Sequence, residues 1–595
     1  MQYESGGART AATDIICPMY VRPRWCEEQA VGDVKRRPVI LCEYAHAMGN
    51  SGGCLTQYWK RFRDKNLPRI QGGFIWDFCD QGLLLPDKSG YGYGGDFGDF
   101  PNTKQFCCNG ILSPRRQPFP SAFEAAHLQS PVEVSLLYVG GSRSGSDSAV
   151  GGGPKPVEFR GELLSSEGDM LIGDDQHMLV VSNRRSFRNL SDVTVVVTLR
   201  YHRAGIKPLV VFDSLRIDCS SIAAGAYQIV PLDHYLEQAI SKGSVAVADD
   251  GGGGMERFDL EVDDSGEAWL DVIAVKSSLD PLLDRAVLVC DAVTSDECYE
   301  VLHASLRIPS LLERLEASVR REKEVQGGAT RGVVSMSEMM MHLAVEDDDS
   351  DSSSSNNNNN TGCICIRWTD GSHARVGKSC GRLLSWVDRN GSPLLASPLD
   401  GCLYRAGTDN DRGGMGVSYY SRWRECGLDS LVRRDSQETT VVSCQLLDDG
   451  AVEVISQWTW ESPHADLPVT IPCSARYLFR TEGSIDVAFR VHISECSMIP
   501  PLPRCGLRWS LPQGFDRVTW FGRGPMEAYD DRKSAAYFGV FESLVEDLHT
   551  HYTFPQESGR RADPRYVCVC MCVCVCVYVC VCMCVCVCVC VCVCV

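Results

Sequence analysis

A carboxylate stands directly after an apolar run near the start of the chain. The run from Val39 to Cys42 is preceded by Pro38 and followed by Glu43. An apolar run bounded by a proline and a polar cluster predicts a buried β-strand. A carboxylate at the end of such a strand is costly to bury unless it has partners or a chemical role. Glu43 is therefore the first candidate for a catalytic group.

Two further strand-like segments are each followed by an aromatic side chain. Ile15–Cys17 leads to Tyr20, and Gly72–Trp76 ends on an indole. Between Glu43 and the second segment, Leu55–Phe62 carries apolar residues at helical spacing, which predicts a helix. Strand, helix and strand form a βαβ unit with parallel strands, whose carboxyl ends share one edge. The sequence therefore predicts Tyr20, Glu43 and Trp76 on one rim of a (β/α) barrel.

The rest of the chain has the sequence pattern of antiparallel β structure. From about 128 to 308, short apolar segments such as Thr194–Val197 and Trp269–Val272 are separated by turn residues. From about 310 to 566 the same style continues, for example in Cys363–Ile366 and Val452–Trp460. Such patterns predict two β-sandwiches, the second larger than the first. The predicted fold class is multidomain, α/β followed by all-β.

Two tracts have compositions that do not predict a packed core. Residues 346–360 read EDDDSDSSSSNNNNN, an acidic and polar composition that predicts a disordered insertion. Residues 567–595 are almost pure Val-Cys. This tail is long and apolar enough to span a bilayer, and its period of two also suits an aggregation-prone strand. We favour a third interpretation, translation of a TG-dinucleotide repeat, because the codons GTG and TGT alternate in such DNA.

Charge and cysteine usage indicate which partners and which compartment to expect for the protein. The chain has 58 Lys+Arg and 77 Asp+Glu, which disfavours nucleic acid or an anionic membrane as the partner. Of its 32 cysteines, 13 lie in the Val-Cys tail, and the others form no Cys-x-x-Cys pair with zinc-site spacing. Scattered thiols of this kind are typical of an intracellular protein, so we expect a cytoplasmic location.

Several motifs together resemble the β-galactosidases of glycoside hydrolase family 2. They are Thr13–Tyr20 (TDIICPMY), Cys42–Asn50 (CEYAHAMGN), Gly72–Gly82 (GGFIWDFCDQG), Tyr93–Asp99 (YGGDFGD), Gln105–Gly110 (QFCCNG), Arg405–Asp411 (RAGTDND), Trp520–Pro525 (WFGRGP) and Phe554–Gly559 (FPQESG). The resemblance implies the C-terminal part of a TIM barrel at 1–127 and an immunoglobulin-like sandwich at 128–308. It further implies a large galactose-mutarotase-like sandwich of the small-chain type at 309–566, before the tail at 567–595.

The resemblance also implies roles for individual residues. Glu43 would be the nucleophile, with Tyr20 and His46 orienting it. A second set would bind a terminal β-galactoside: Met19, Trp76, Asp409 and Asn410. The backbone carbonyl of Phe106 and the side chain of Asn109 would belong to a sodium site. The implied reaction is retaining hydrolysis of lactose-type substrates. In it, one of two carboxyl groups about 5–5.5 Å apart is the nucleophile and the other is the acid/base.

The chain departs from the family in one way that bears on catalysis. The family's acid/base Glu follows an Asn, and this chain has no Asn-Glu dipeptide. Nothing in it matches the family's magnesium ligands either. We therefore expect a fragment that is inactive alone, with a complementing N-terminal half or a homo-oligomer as its partner. The alternative is a non-catalytic remnant, either a carbohydrate-binding β-sandwich protein or a pseudogene product.

A different enzyme class is suggested by one short match. Gly49-Asn50-Ser51-Gly52-Gly53 fits the G-x-S-x-G pattern of serine hydrolases. That pattern requires a strand that leads straight into the serine turn. Here eight residues separate Cys42 from Ser51. The spacing disfavours a serine hydrolase.

Overall fold

The protein combines a small α/β region with a much larger β region. A computed structural model describes residues 13–139, 176–202, 209–232, 246–247, 267–277, 298–307, 344–348, 362–413, 417–434, 441–493, 499–572 and 582–588. Within these ranges strands far outnumber helices. None of the described helices is both long and apolar enough to cross a bilayer.

The α/β region is built around two parallel strands. Its elements are α1 (Pro23–Gly32), β1 (Val39–Tyr44), α2 (Leu55–Phe62), β2 (Ile70–Ile75), the short pair β3 (Leu83–Leu84) and β4 (Tyr91–Gly92), and α3 (Pro120–Gln129). β1 runs parallel to β2, with Val39 opposite Ile70 and Tyr44 opposite Ile75. The predicted βαβ unit and the predicted helix are thereby confirmed.

Two details of this region differ from the sequence prediction. β1 continues through Tyr44, so Glu43 lies within the strand and not after it. Residues 15–17 form no strand of their own, but single parallel bridges join Ile16 to Val39 and Met19 to Glu43. The segment before α1 therefore lies along β1 on the side away from β2. The carboxyl end of β1 is flanked on both sides.

Burial explains why β1 and α2 hold their positions. Val39 and Leu41 of β1 are fully buried, and Leu55 of α2 is 1% exposed. These side chains pack in one cluster with Ile16 and Ile70. Val39 and Leu41 face this cluster, whereas Ile40 and Cys42, which alternate with them, are only partly buried.

The next region is a pair of antiparallel sheets that face each other. The strands are β5 (Val132–Val139), β6 (Gln176–Asn183), β7 (Val193–His202), β8 (Leu209–Asp218), β9 (Tyr227–Pro231), β10 (Ala246–Val247), β11 (Glu267–Ser277) and β12 (Cys298–Arg307). One sheet has the order β5-β6-β9 and the other β10-β8-β7-β11-β12. Leu179 and Val181 of the first sheet share a buried cluster with Val195, Val197 and Leu270 of the second.

The last region is the largest and contains several antiparallel sheets. Its strands are β13 (Ala344–Asp348), β14 (Cys363–Arg367), β15 (His373–Gly377), β16 (Leu383–Val387), β17 (Asp400–Cys402), β18 (Val432–Arg434), β19 (Val441–Leu446), β20 (Val452–Glu461), β21 (Thr470–Phe479), β22 (Ile485–Val491), β23 (Gly506–Arg508), β24 (Phe515–Gly524), β25 (Tyr537–Leu544), β26 (Tyr566–Cys572) and β27 (Cys582–Cys588). Two short helices, α4 (Asp409–Arg412) and α5 (Tyr419–Glu425), follow β17. We call residues 362–572 the C-terminal β region.

Two sequence predictions are corrected in this region. Residues 346–348, assigned above to a disordered insertion, belong to β13, which pairs antiparallel with β14. The remainder of the insertion lies outside the described residues. The tail assigned to 567–595 contains β26 and β27, and β26 pairs with β24. Strict alternation has the period of a β-strand, so the tail's pattern suits this pairing whatever its coding origin.

Candidate active site

The carboxyl end of β1 brings Tyr20 against Glu43. The backbone N–H of Tyr20 donates to the backbone carbonyl of Glu43 at 2.9 Å. The Tyr20 phenol also hydrogen-bonds the Glu43 carboxylate, and burial together with this negative charge raises the pKa of Tyr20 well above its usual range. Tyr20 therefore stays protonated and serves as a donor. Its φ of 51° is uncommon for a residue other than glycine, as occurs at functional sites.

His46 connects this pair to the segment that contains Asn109. Its Nε2 lies 3.0 Å from the side-chain nitrogen of Asn109. Its ring meets the Tyr20 ring edge-on at 5.6 Å and lies 5.6 Å from the Phe106 ring. Burial lowers the pKa of His46, and the charge of Glu43 only partly opposes that shift. An amide nitrogen only donates, so this contact assigns neutral His46 the tautomer in which Nε2 accepts from Asn109.

Trp76 follows β2 and lies beside the loop that comes after Glu43. We call residues 45–51 the Glu43 loop. The backbone N–H of Ala47 donates to the Trp76 carbonyl at 2.7 Å, and the N–H of Trp76 donates to the Tyr44 carbonyl at 3.1 Å. The Trp76 side chain is 36% exposed, so part of its ring is open to solvent. A partly open indole face at this end of the parallel strands suits the C–H face of a sugar.

The side chain of Asn109 has an oxygen with no partner in the described part of the chain. Asn109 is 3% exposed, and its Oδ1 is buried without a hydrogen bond. The backbone N–H of Asp77 donates to the Asn109 carbonyl at 2.7 Å, which holds this residue near the end of β2. Hard cations take carbonyl and amide oxygens as ligands. The orphaned Oδ1 therefore fits a cation ligand, although no group of three or more His, Cys, Asp or Glu among the described residues has metal-binding geometry.

Asp409 and Asn410 stand at the start of α4 and contact other parts of the chain. Asp409 is buried, and its Oδ2 accepts from Nε2 of Gln556 at 2.8 Å. Burial raises the pKa of Asp409, against the lowering influence of Gln556 and Arg412. The exposed Asn410 donates to the Asp531 carboxylate at 3.3 Å. The structure thus brings Asp409 to the Glu43 loop by way of Gln556.

Two segments of the chain match models of known protein families. Residues 1–134 match the TIM barrel domain of the glycosyl hydrolases family 2, and residues 369–571 match the beta galactosidase small chain. Over the first of these segments the chain is similar to glycoside hydrolase family 2. Its first residues thus correspond to part of a TIM barrel, and the remainder of the described structure is mostly β.

Curated relatives in the family are similar along almost all of this chain. The beta-galactosidase of Vibrio cholerae serotype O1 is 31% identical over 96% of the chain and 45% of its own length. The beta-galactosidases of Aeromonas hydrophila and Pectobacterium atrosepticum are 31% and 29% identical, each over 95% of the chain and 45% of the relative. The chain therefore spans about half the length of these family 2 relatives.

Sequence reasoning missed a polar junction between the Glu43 loop and the C-terminal β region. Asn50, in the Glu43 loop, donates from Nδ2 to the Tyr529 hydroxyl at 2.9 Å and to the Glu557 carbonyl at 2.7 Å. Arg532 donates to Asn50 Oδ1 and to the Ser51 carbonyl, each at 2.7 Å. The motifs that contain Asn50 and Glu557 were signals in the sequence, but neither identified a partner for its residue.

The Arg532 guanidinium is itself held by a buried carboxylate. Its Nη2 lies 3.0 Å from Oε1 of Glu527, and both side chains are almost fully buried. The hydroxyl of Tyr552 and the backbone N–H of Gly559 also donate to Glu527. Hydrogen bonds to both Nη atoms of Arg532 and to both oxygens of Glu527 offset much of the cost of burying this ion pair, although Arg532 Nε has no partner among the described residues. This junction is therefore rigid and polar.

A second buried carboxylate, Asp80, lies at the same boundary. It accepts from the Gly110 backbone at 2.8 Å and from the Thr553 hydroxyl at 2.9 Å. Burial raises the pKa of Asp80 to about 6, and the charge of Asp409 adds to the shift. Asp80 was not among the residues that the sequence suggested, because its burial depends on the C-terminal β region.

Proposed function

We propose that this chain carries the nucleophile of a retaining β-galactosidase, and that Glu43 is that nucleophile. The observation that carries the proposal is the bonding of Glu43 by Tyr20 at the carboxyl end of β1, beside the half-open Trp76. Strand ends of this kind form the catalytic face of TIM barrels. The family 2 match over the same residues supports the assignment.

The reaction follows from these residues. The Glu43 carboxylate attacks the anomeric carbon of a terminal β-galactoside, and the bond from that carbon to the leaving oxygen breaks. Water then releases galactose from the covalent intermediate with net retention. Tyr20 donates to the carboxylate and keeps it aimed. Neutral His46 packs against the Tyr20 ring and fixes its position.

The substrate contacts in this proposal come from four residues. Trp76 would stack on the sugar, and Met19, which bridges to Glu43, would line the same end of β1. Asp409 and Asn410 would border the site from α4. Their observed bonds go to Gln556 and Asp531, so any sugar contact would use the atoms that remain.

The acid/base role is assigned to no residue of the printed sequence. The chain has no Asn-Glu dipeptide, the pattern that carries this residue in the family. We propose that a complementing polypeptide provides the second carboxyl group. Turnover of an unactivated galactoside by this chain alone would then lack the roughly 10²–10⁴-fold contribution of general acid–base catalysis.

A sodium ion is the cofactor that the described residues fit. Asn109 Oδ1 and the backbone carbonyl of Phe106 would be its ligands. The bound ion would supply positive charge near the site and hold the segment that carries Asn109. Magnesium, which the family resemblance implies, is assigned no ligand in this chain. Sodium over potassium should raise the unfolding midpoint of the protein, and Asn109→Leu should abolish that difference.

The proposed compartment is the cytoplasm. Outside the Val-Cys tail, the 19 cysteines of the sequence are scattered and form no Cys-x-x-Cys pair. Scattered cysteines of this kind are typical of a protein from a reducing compartment. Treatment of a native cell lysate with a thiol reagent would test this compartment. Reduced cysteines react with the reagent, and oxidised cysteines do not.

The deciding experiment measures the reaction of the nucleophile with a reagent that needs no acid/base residue. The full chain is incubated with 2,4-dinitrophenyl 2-deoxy-2-fluoro-β-D-galactoside, whose leaving group needs no protonation. The 2-fluoro group slows breakdown of the intermediate, so the sugar stays bound. Intact mass should increase by one fluorogalactosyl residue, and peptide mapping should find it on Glu43.

Two controls give this experiment its meaning. Glu43→Gln should remain unlabelled, because an amide is not a comparable nucleophile. The matching glucoside reagent should label more slowly if the site selects galactose. A wild-type chain that stays unlabelled at saturating reagent, while folded by circular dichroism, would reject Glu43 as nucleophile and favour the non-catalytic alternative.

A further inference from the structure

Gln556 uses its whole amide group at the boundary between the Glu43 loop and the C-terminal β region. Its Oε1 accepts from the backbone N–H of Asn50 at 2.9 Å and of Asp409 at 2.8 Å. Its Nε2 donates to Asp409 Oδ2 at 2.8 Å and to the Phe554 carbonyl at 3.1 Å. One side chain therefore joins the Glu43 loop, α4 and its own segment.

The Glu43 loop is packed closely around this side chain. Gly49 has φ +54°, and a Cβ built there would lie 2.1 Å from Gln556 Nε2 and 2.3 Å from Asp409 Oδ2. The loop backbone thus approaches Gln556 more closely than any residue with a side chain would allow. The close approach of Gly49 and the hydrogen bond from the Asn50 N–H both fix the position of the loop relative to Gln556.

The loop also transmits its position to the Glu43 carboxylate. Ser51 Oγ donates to the His46 carbonyl at 2.9 Å, and Ala47 is bonded to Trp76. His46 in turn contacts the ring of Tyr20, the donor to Glu43. A displacement of Asn50 would therefore shift His46 and, through Tyr20, the aim of the carboxylate.

We propose that Gln556 is a positioning residue for Glu43. It acts through the Glu43 loop and touches neither the carboxylate nor the sugar. The inference rests on the proposed role of Glu43 as nucleophile. It adds that the C-terminal β region sets the geometry of a site built on the barrel strands, because its Gln556 holds the loop in the reactive position.

The test compares Gln556→Met with two matched variants in the full chain. Methionine keeps the length of the side chain but makes none of the four hydrogen bonds. Gln445→Met removes a glutamine whose Nε2 bonds Glu453 at 2.8 Å, away from the Glu43 loop. Ser534→Ala removes the 2.8 Å bond to Thr56, which crosses the same boundary at α2.

The measured quantities are the maximal rate of Glu43 labelling by the fluorogalactoside, the reagent concentration for half-maximal rate, and the urea midpoint. For Gln556→Met we expect a maximal rate lower by about 10- to 100-fold, since misplacement near 1 Å has effects of that size. The half-maximal concentration should change less than threefold. The two control variants should label at the wild-type rate. Labelling of Gln556→Met at the same rate as Ser534→Ala would overturn the inference.

Hydrogen exchange separates this inference from the proposed function. The amide of Asn50 should exchange faster in Gln556→Met than in wild type, and at the wild-type rate in both controls. If the wild-type chain is not labelled at all, the proposed function fails and exchange alone decides whether Gln556 holds the loop. Unchanged exchange at Asn50 in Gln556→Met would show that it does not.

Discussion

Tyr20 is bonded to Glu43 through both its backbone and its side chain. The backbone N–H of Tyr20 donates to the Glu43 carbonyl at 2.9 Å, and its phenol bonds the carboxylate. Because the segment that carries Tyr20 lies along β1, the two residues are held by strand geometry and not by side-chain contacts alone. The donor therefore stays in place when the carboxylate changes its charge.

Removal of the Tyr20 hydroxyl should slow the labelling of Glu43. Tyr20→Phe keeps the ring against His46 but loses the donor to the carboxylate. A hydrogen bond to a charged group contributes about 1.5–3 kcal/mol, which corresponds to roughly a 10- to 100-fold lower labelling rate. Tyr419→Phe, at an exposed tyrosine of α5, is the matched control. Equal rates for the two variants would contradict a role for the phenol.

Local periodicity predicted the elements around the site well. The apolar spacing of α2 is complete within eight residues, and the structure has that helix over the same Leu55–Phe62 range. β1 was found from its apolar run, although the strand extends past Glu43 to Tyr44. A charged residue does not end a strand whose backbone is paired on both sides, and the pairing was not visible in the sequence.

The junction at the Glu43 loop could not have been predicted from spacing. Arg532 and Asn50 are 482 positions apart, and neither lies in a periodic pattern that points to the other. Burial of Asp80 likewise depends on Thr553, far along the chain. Such contacts are set by how the C-terminal β region packs on the barrel strands. A single sequence carries no signal for that packing.

Asp80 should make the stability of the protein depend on pH. Its folded pKa of about 6 lies above the ordinary 3.8, so the stability it contributes is present below pH 3.8 and lost as pH rises through about 6. Asp80→Asn removes this dependence and keeps both hydrogen bonds, because the Thr553 hydroxyl then accepts. At pH 8 the variant should be more stable than wild type by at most about 3 kcal/mol.

Urea unfolding of wild type and Asp80→Asn between pH 4 and pH 8 measures this difference. The two curves should meet near pH 4 and separate as pH rises. Effects of other titrating groups common to both proteins cancel in the comparison. A constant difference across the range would show that Asp80 ionises in the folded state as it does in the unfolded state.

The buried pair of Arg532 and Glu527 should be far more important for stability than an exposed one. Arg532→Ala leaves Glu527 buried without its counter-ion and removes the bonds to the Glu43 loop. Breaking one side of a buried pair costs about 3–5 kcal/mol. Arg24→Ala breaks the exposed pair with Glu28 and should cost under about 1 kcal/mol. Similar urea midpoints for the two variants would contradict the proposed rigidity of the junction.

Alanine at Gly49 should disturb the site more than alanine at an open glycine of similar backbone geometry. Gly391 has φ +80° with nothing near its missing Cβ, so Gly391→Ala should show only the left-handed penalty of about 1–2 kcal/mol. Gly49→Ala adds a clash with Gln556 and Asp409, which should cost about 1–3 kcal/mol more. Urea unfolding gives both values. Because the clash pushes the Glu43 loop away from Gln556, labelling of Glu43 should also slow in Gly49→Ala and not in Gly391→Ala. Equal stability and equal labelling in the two variants would mean that the loop moves freely at this position.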